Sequence, residues 1–283
     1  MNNSKIAIIT DSSCDIPKEY LEKHQVFILP LHVSMPEGDY LDGVNISPQE
    51  VYSRMPEVVP STSQPSPGDI KELFEQLKRE GYQEAIAVCI SSGLSGTFNV
   101  FGMCAKEEYD LHIHMFDSRR LSMALGLLVI QAVDMNEAGS SSAEILAALE
   151  DSWANTNGYF CIPTLHYLIK GGRIGLVTGT LGTILGIVPV ISINQDGRYF
   201  TYAKCRNYSC AIKKIEESIR KIAADKRIDI AVLYGNAAEK AKIVHANLKN
   251  LKGLRNLYLC QISPALGVHT GPGLVGLAYR IIK

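Results

Sequence analysis

Three clusters of hydroxyl side chains, two of them with glycine close by, hold most of the chemistry this sequence could do. They are Thr10-Asp11-Ser12-Ser13, Ser61-Thr62-Ser63-Gln64-Pro65-Ser66 and Ser91-Ser92-Gly93-Leu94-Ser95-Gly96-Thr97. Hydroxyls and free backbone N–H groups at strand ends and helix starts suit a bound anion such as a carboxylate or phosphate. The same residue types also make ordinary caps and turns. One cluster alone would read that way. The ligand reading gains because Thr10–Asp15, Ser91–Asn99 and Asp117–Ser122 each follow a strand pattern and are expected to crowd one rim, with the Thr62 loop beside it.

Other signals narrow the chemistry. No Lys follows the third cluster, so it is not a Walker A loop, and its glycines do not match a dinucleotide fingerprint. Ser95 lacks the Gly-x-Ser-x-Gly spacing of a nucleophile elbow. Glycines on either side of Ser95 let its N–H and Oγ approach one ligand oxygen, leaving a second oxygen for Thr62. Arg173, after the pair Gly171-Gly172, could aim a guanidinium at the same anion. His269-Thr270-Gly271-Pro272-Gly273 reads as a tight turn that would bring a His to a ligand. No spacing of His, Cys or carboxylates makes a metal site.

The elements that must position these residues alternate. Strands are expected at Ile6–Ile9, Val26–Val33, Ala85–Ile90 and Leu111–Phe116. Ser47-Pro48-Gln49-Glu50 and Ser66-Pro67-Gly68-Asp69 open helices as capping boxes with proline in the first turn. Further helices are expected at Thr97–Lys106, Ser122–Ala138 and Ser142–Trp153. This order predicts an α/β fold whose N-terminal part is a mainly parallel sheet flanked by helices. After Asn155-Thr156-Asn157-Gly158 the character changes. A hairpin over Gln195-Asp196-Gly197 joins Val188–Asn194 to Arg198–Ala203, and mixed strands and helices follow. Gly175, Gly179, Gly182 and Gly186 fall at the spacing of one helix face, which would allow close approach of a backbone or ligand.

At 283 residues the chain exceeds a single core, and two α/β domains, 1–157 and 158–283, are expected. A net charge of -1 gives no electrostatic reason to bind nucleic acid or anionic lipid. The apolar run leading into Thr10 has only four residues, Ile6–Ile9, too few for a signal peptide, and no apolar run spans a bilayer, so the cytoplasm is the expected location. The seven cysteines include no Cys-x-x-Cys, and Cys89, Cys161 and Cys260 sit in apolar strand patterns as small core residues.

Together these blocks resemble the DegV family of fatty-acid-binding proteins, which includes the FakB-type subunits of bacterial fatty acid kinase. The likeness covers essentially the whole chain. It rests on Thr10-Asp11-Ser12-Ser13, Thr62-Ser63-Gln64-Pro65-Ser66, Ser91 to Thr97, Lys170-Gly171-Gly172-Arg173-Ile174 and His269 to Gly273, in that order and spacing. The resemblance implies a long-chain fatty acid between the two domains, its carboxylate held by Thr62 and Ser95. Ser63, Arg173, His269 and Thr270 would form a supporting polar network. It also implies no cofactor and no catalysis by the chain itself, a separate ATP-dependent kinase subunit converting the presented carboxylate to an acyl phosphate. The sequence departs from the family's pattern at Val188-Pro189, where Lys-Pro is common, and at Gly175, where Ser is common. Cys205-Arg206-Asn207-Tyr208-Ser209 keeps one Arg where relatives carry a basic cluster. Two alternatives follow from the residues: a Ser-dependent acyl hydrolase or phosphotransferase using Ser95 and His269, and a lipid sensor or scaffold without a kinase.

Overall fold

Apolar runs and capped helices alternate through the chain, and a computed structural model shows what they build, describing residues 5–55, 57–107, 110–180 and 186–282. Strands β1 (Ile6–Asp11), β2 (Phe27–Leu29), β3 (His32–Met35), β4 (Gly38–Leu41), β5 (Ser61–Ser63), β6 (Glu84–Cys89) and β7 (His112–Asp117) come first. They are followed by β8 (Thr156–Cys161), β9 (Val188–Ile193), β10 (Tyr199–Cys205), β11 (Arg227–Gly235), β12 (Leu254–Gln261) and β13 (Leu274–Ile282).

The described strands form three sheets. The first, ordered β2-β1-β6-β7, is parallel throughout, so the carboxyl ends of β1, β6 and β7 meet on one rim. The second, ordered β10-β9-β8-β13-β11-β12, is antiparallel except for the β11–β12 pair. A small antiparallel sheet, β4-β3-β5, carries Thr62 opposite Val33. The fold is α/β, as expected, with a parallel sheet in the N-terminal part and a mixed sheet in the C-terminal part.

The helix Ser122–Glu137 sits between the two large sheets, packed on β1 and β6 on one side and β8 and β13 on the other. Its residues from Ser122 to Ile130 are all buried, which suits a helix apolar on every face. One hydrophobic cluster therefore runs through it, joining Ile8 and Ile86 to Ile191 and Ala278. Helices Pro48–Arg54, Pro67–Arg79 and Ser142–Trp153 each start at a serine capping box. Among the described residues no helix is long and apolar enough to cross a membrane.

Three expectations about elements need correction. Val26–Val33 is not one strand. Pro30, which lacks an N–H and restricts its neighbour, separates β2 from β3, and the two join different sheets. His269 does not lie on a tight turn but in the last turn of a short helix, Pro264–Thr270, which Gly271 ends at φ +69°. Of the glycines at 175, 179, 182 and 186, the described ones, Gly175, Gly179 and Gly186, do not share an α-helix face. Residues 175–180 form a 3₁₀-helix, and Gly175 (φ +54°) and Gly186 (φ +98°) take left-handed conformations that no α-helix contains. Gly182 lies outside the described residues.

The first hydroxyl cluster also has a different use from the expected one. Thr10, Asp11, Ser12 and Ser13 do not line the ligand cavity described below; Asp11 and Ser12 brace the elements that do, and Thr10 Oγ1 is buried without a partner. Asp11 accepts the N–H of Ile90 at 2.7 Å and that of Ser13 at 3.1 Å. Ser12 Oγ accepts from Leu31 N at 2.9 Å and donates to Asp42 at 2.5 Å. Asp42 in turn accepts the N–H of Ala265 at 3.0 Å, and Asp15 that of Ser263 at 2.8 Å. The buried carboxylates thus satisfy the N-terminal amides of the helix that carries His269. Burial raises all three acids, Asp42 to about 6.

Candidate functional site

A cavity opens where the rim of the parallel sheet meets the small sheet and the helix Pro264–Thr270. It holds about 540 Å³ of space between protein atoms, part of it open to solvent. Its polar lining is Thr62, Ser63, Gln64, Ser95, Arg173 and His269. Five expected site residues, scattered over more than 200 positions, therefore face one space. Thr270 is not brought to it. Its Oγ1 turns back to donate to Leu266 O at 3.0 Å within the same helix, and the residue lines a second cavity instead.

That second cavity, about 480 Å³ between atoms, is apolar. It lies between the helix Ser122–Glu137 and the mixed sheet, walled by Ala124, Phe160, Ile193, Leu274, Leu277 and Ala278. Gly158 and Tyr159 line it on the β8 side. Leu121, Tyr199 and Leu266 line both cavities, so the polar one and the apolar one are neighbours with these side chains between them. Tyr199 stands at that junction with its ring edge-on to Phe160, centroids 5.2 Å apart. Sequence reading missed Tyr199 and Leu121, which look like any other strand or loop residues. Gln64 lay in a quoted motif without a role; its side chain packs on Gly96, where a Cβ would stand 3.1 Å from Gln64 Oε1.

The polar groups are ordered by what each already bonds. Thr62 Oγ1 lies 2.7 Å from His269 Nε2. The other ring nitrogen, Nδ1, is buried without a partner, pressed on Gly171 so closely that a Cβ there would stand 2.2 Å away. Burial, helped by the charge of Arg173, lowers the His269 pKa to about 4, so the ring is neutral at pH 7. A neutral imidazole has one N–H. On Nδ1 it would be an unpaired buried donor; on Nε2 it donates to Thr62 Oγ1. The second tautomer leaves the Thr62 hydroxyl proton free to donate into the cavity.

Arg173 Nη1 donates to Gly171 O at 2.7 Å and Nε to Leu94 O at 3.3 Å, so its guanidinium ties its own loop to the Ser95 loop. Ser95 N donates to Ser91 O at 3.0 Å, while Ser95 Oγ lies 2.9 Å from Thr97 Oγ1 and accepts from Thr97 N at 3.3 Å. Ser91 is a buried hub. Its Oγ donates to Gly197 O at 2.8 Å and accepts from Gly93 N at 3.1 Å. Gly197 in the hairpin and Gly93 in the loop make this contact possible. A Cβ on Gly93 would stand 2.7 Å from Asp196 O, and one on Gly197 2.0 Å from Ser91 Oγ. The Ser95 loop is thereby clasped to the turn that leads into Tyr199. Ser92 takes no part, its N and Oγ both bonding Asp117.

The His269 shift gives an expected pH response. Its folded-state pKa lies below the unfolded value of 6.5, so the stability it contributes is present above pH 6.5 and lost as pH falls through 4. The His269 ring resonances in an NMR titration are expected to stay constant from pH 8 to about 5.5 and to move only near 4. A midpoint close to 6.5 would contradict the buried, neutral ring.

Among the described residues no group of three or more His, Cys, Asp or Glu gathers to hold a metal. What the fold and site define is an α/β protein with a hydroxyl-lined polar cavity next to an apolar one between its sheets. The chain belongs to the DegV family: the family model "Uncharacterised protein, DegV family COG1307" matches residues 5–281. It is 41% identical over 273 residues to a DegV domain-containing protein of Clostridium acetobutylicum, covering 96% of this chain and 98% of that one. Among solved structures it is similar to DegV of Bacillus subtilis, described as a fatty acid binding protein, with a TM-score of 0.91 and 27% identity over 99% of this chain and 100% of that one. A stearic acid-binding protein of Eubacterium ventriosum has a TM-score of 0.89 and 30% identity, covering 98% of each chain.

Proposed function

We propose that this chain binds one long-chain fatty acid, with the carboxylate in the polar cavity and the acyl chain in the apolar one. The observation that carries the reading is that the polar and the apolar cavity lie side by side and share Leu121, Tyr199 and Leu266. A polar head space next to an apolar one suits a ligand with one charged end and a long hydrocarbon tail, and a stearic acid-binding relative has the same fold. The Thr62 and Ser95 hydroxyls donate to the carboxylate, Arg173 supplies a neighbouring positive charge, and Ser63 and His269 complete the polar wall. Thr270 supports from the apolar side rather than at the head. The ligand lies between the proposed domains 1–157 and 158–283, whose division falls inside β8, after its second residue.

Energetics favour the same division of labour. Burying an acyl chain of about sixteen carbons is worth at most roughly 12 kcal/mol at about 0.8 kcal/mol per methylene. Ordering and association costs remove much of that. A carboxylate leaving water needs compensation, and each hydrogen bond to a charged group returns about 1.5–3 kcal/mol. The tail sets most of the affinity and the hydroxyl pair fixes where the head group sits.

In this reading the chain is a carrier that performs no reaction. It presents the carboxylate to an ATP-dependent fatty acid kinase subunit, where a carboxylate oxygen attacks the γ-phosphorus and ADP leaves, giving an acyl phosphate. The Ser95–His269 hydrolase alternative finds less support, because His269 Nε2 is engaged by Thr62 and Ser95 Oγ by Thr97. The test is extraction of the protein purified from bacteria. About one equivalent of long-chain fatty acid is expected by mass spectrometry after denaturation, unmodified on incubation with ATP alone and converted to acyl phosphate when a kinase subunit is added. Release of no lipid would contradict the binding reading, and turnover of acyl esters by the chain alone would restore the hydrolase.

A further inference from the structure

The segment Cys205–Ser209 takes no part in the cavities. It ends β10 and turns into the helix Tyr208–Asp225, placing Cys205 last in the strand and Cys210 third in the helix. Asn207 Oδ1 closes the turn by accepting the Cys210 N–H at 2.9 Å. The turn brings the two thiols near one another. Both line one open surface groove with the cationic side chains of Lys204, Arg206, Lys213 and Lys214. Six of the seven cysteines are buried, and Cys210 is the one that is not.

We propose that Cys210 and Cys205 form a redox modification site, in which Cys210 reacts with a hydroperoxide and Cys205 closes an intramolecular disulfide. Partial exposure in a cationic groove at the first turn of a helix separates reactive cysteines from inert buried ones, and a neighbouring resolving thiol is the mark of reversible oxidation. Burial pushes the Cys205 thiol up to about 11, so it stays protonated and waits as the resolving partner. The Cys210 sulfur attacks one peroxide oxygen; the O–O bond breaks, an S–O bond forms and the first water leaves. The Cys205 sulfur then attacks the sulfenic sulfur; the S–O bond breaks, the S–S bond forms, and the hydroxyl departs with the Cys205 proton as a second water. Two thiols lose two electrons and two protons, and one hydrogen peroxide takes them up as two waters. Cys161 also lies near Cys205, but it is fully buried with its Sγ directed at Val275 O, 3.7 Å away.

The test treats the full-length protein with hydrogen peroxide at neutral pH, alkylates the remaining thiols and maps tryptic peptides. The expected result is a loss of about 2 Da from the intact chain. Cys205-Arg206 should be found linked to Asn207–Lys213, and dithiothreitol should reverse the link. Cys210→Ser, a change at a half-buried position, is expected to abolish the linked pair with the circular dichroism spectrum unchanged. Cys205→Ser is expected to drive Cys210 on to sulfinic acid, a gain of about 32 Da. A Cys161–Cys205 disulfide, sulfinic acid at Cys210 in the unaltered chain with Cys205 alkylated, or full alkylation of both thiols would each overturn it.

Discussion

Replacing Thr62 and Ser95 together by alanine is expected to weaken fatty-acid binding by about 10²- to 10⁴-fold, because two hydrogen bonds to a charged group are worth about 1.5–3 kcal/mol each. The Thr62 change carries an added cost. It removes the partner of His269 Nε2, leaving a ring already unpaired at Nδ1 with no hydrogen bond at either nitrogen. The two single variants are expected to couple if both hydroxyls grip one carboxylate, so the double variant should lose less than the sum of the singles. Thermal stability should change little in the Ser95 single variant, since Ser95 Oγ adds only local bonds to Thr97. Affinity unchanged in the double variant, measured by titration with a fluorescent fatty acid, would remove these hydroxyls from the head-group site.

Gly197→Ala is expected to lower the melting temperature by about 5–15 °C. The residue holds φ +72° and a Cβ would fall 2.0 Å from Ser91 Oγ, an atom locked between Gly197 O and Gly93 N. Left-handed backbone costs a side-chain-bearing residue about 1–2 kcal/mol and overpacking about 1–3 more. At this chain length each kcal/mol moves the midpoint by about 2–4 °C. Gly43 provides the control. It has nearly the same φ, +71°, and nothing within 4 Å of its Cβ position, so Gly43→Ala carries the backbone cost alone. Differential scanning calorimetry of both variants isolates the clasp between the Ser95 loop and the hairpin. Equal shifts would mean that Ser91 yields freely and that the clasp does not fix the loop. A larger drop at Gly197, accompanied by weaker fatty-acid binding, would tie the clasp to the position of Ser95.

What the sequence made legible follows from the range of the forces involved. Capping boxes at Ser47 and Ser66, the β1 and β6 apolar runs, and the hairpin at Gln195-Asp196-Gly197 are set by neighbours a few residues away, and they appear where they were expected. The helix Pro264–Thr270 was missed because its amides are satisfied by Asp15 and Asp42, more than 200 positions distant, and because Gly267 weakens its local signal. Thr10-Asp11-Ser12-Ser13 misled for a related reason. The sequence shows hydroxyls and a carboxylate at a strand end, but not that Asp11 and Ser12 spend them on Ile90, Leu31 and Asp42. The polar lining was legible as far as Thr62, Ser63, Ser95, Arg173 and His269, which carry chemistry in their type. Tyr199 and the apolar walls were not, since a residue facing a cavity and one facing a packed core look alike until three-dimensional packing separates them.

The central claim, one acid head held by alcohol side chains at the mouth of an apolar channel, is tested most directly by a crystal structure of the protein with its bound lipid. The expected result is carboxylate oxygens within about 3 Å of Thr62 Oγ1 and Ser95 Oγ, and a hydrocarbon chain passing Tyr199 toward Leu277 and Ala278. A lipid lying in the opposite direction, or a solid side-chain core where the tail should run, would contradict it.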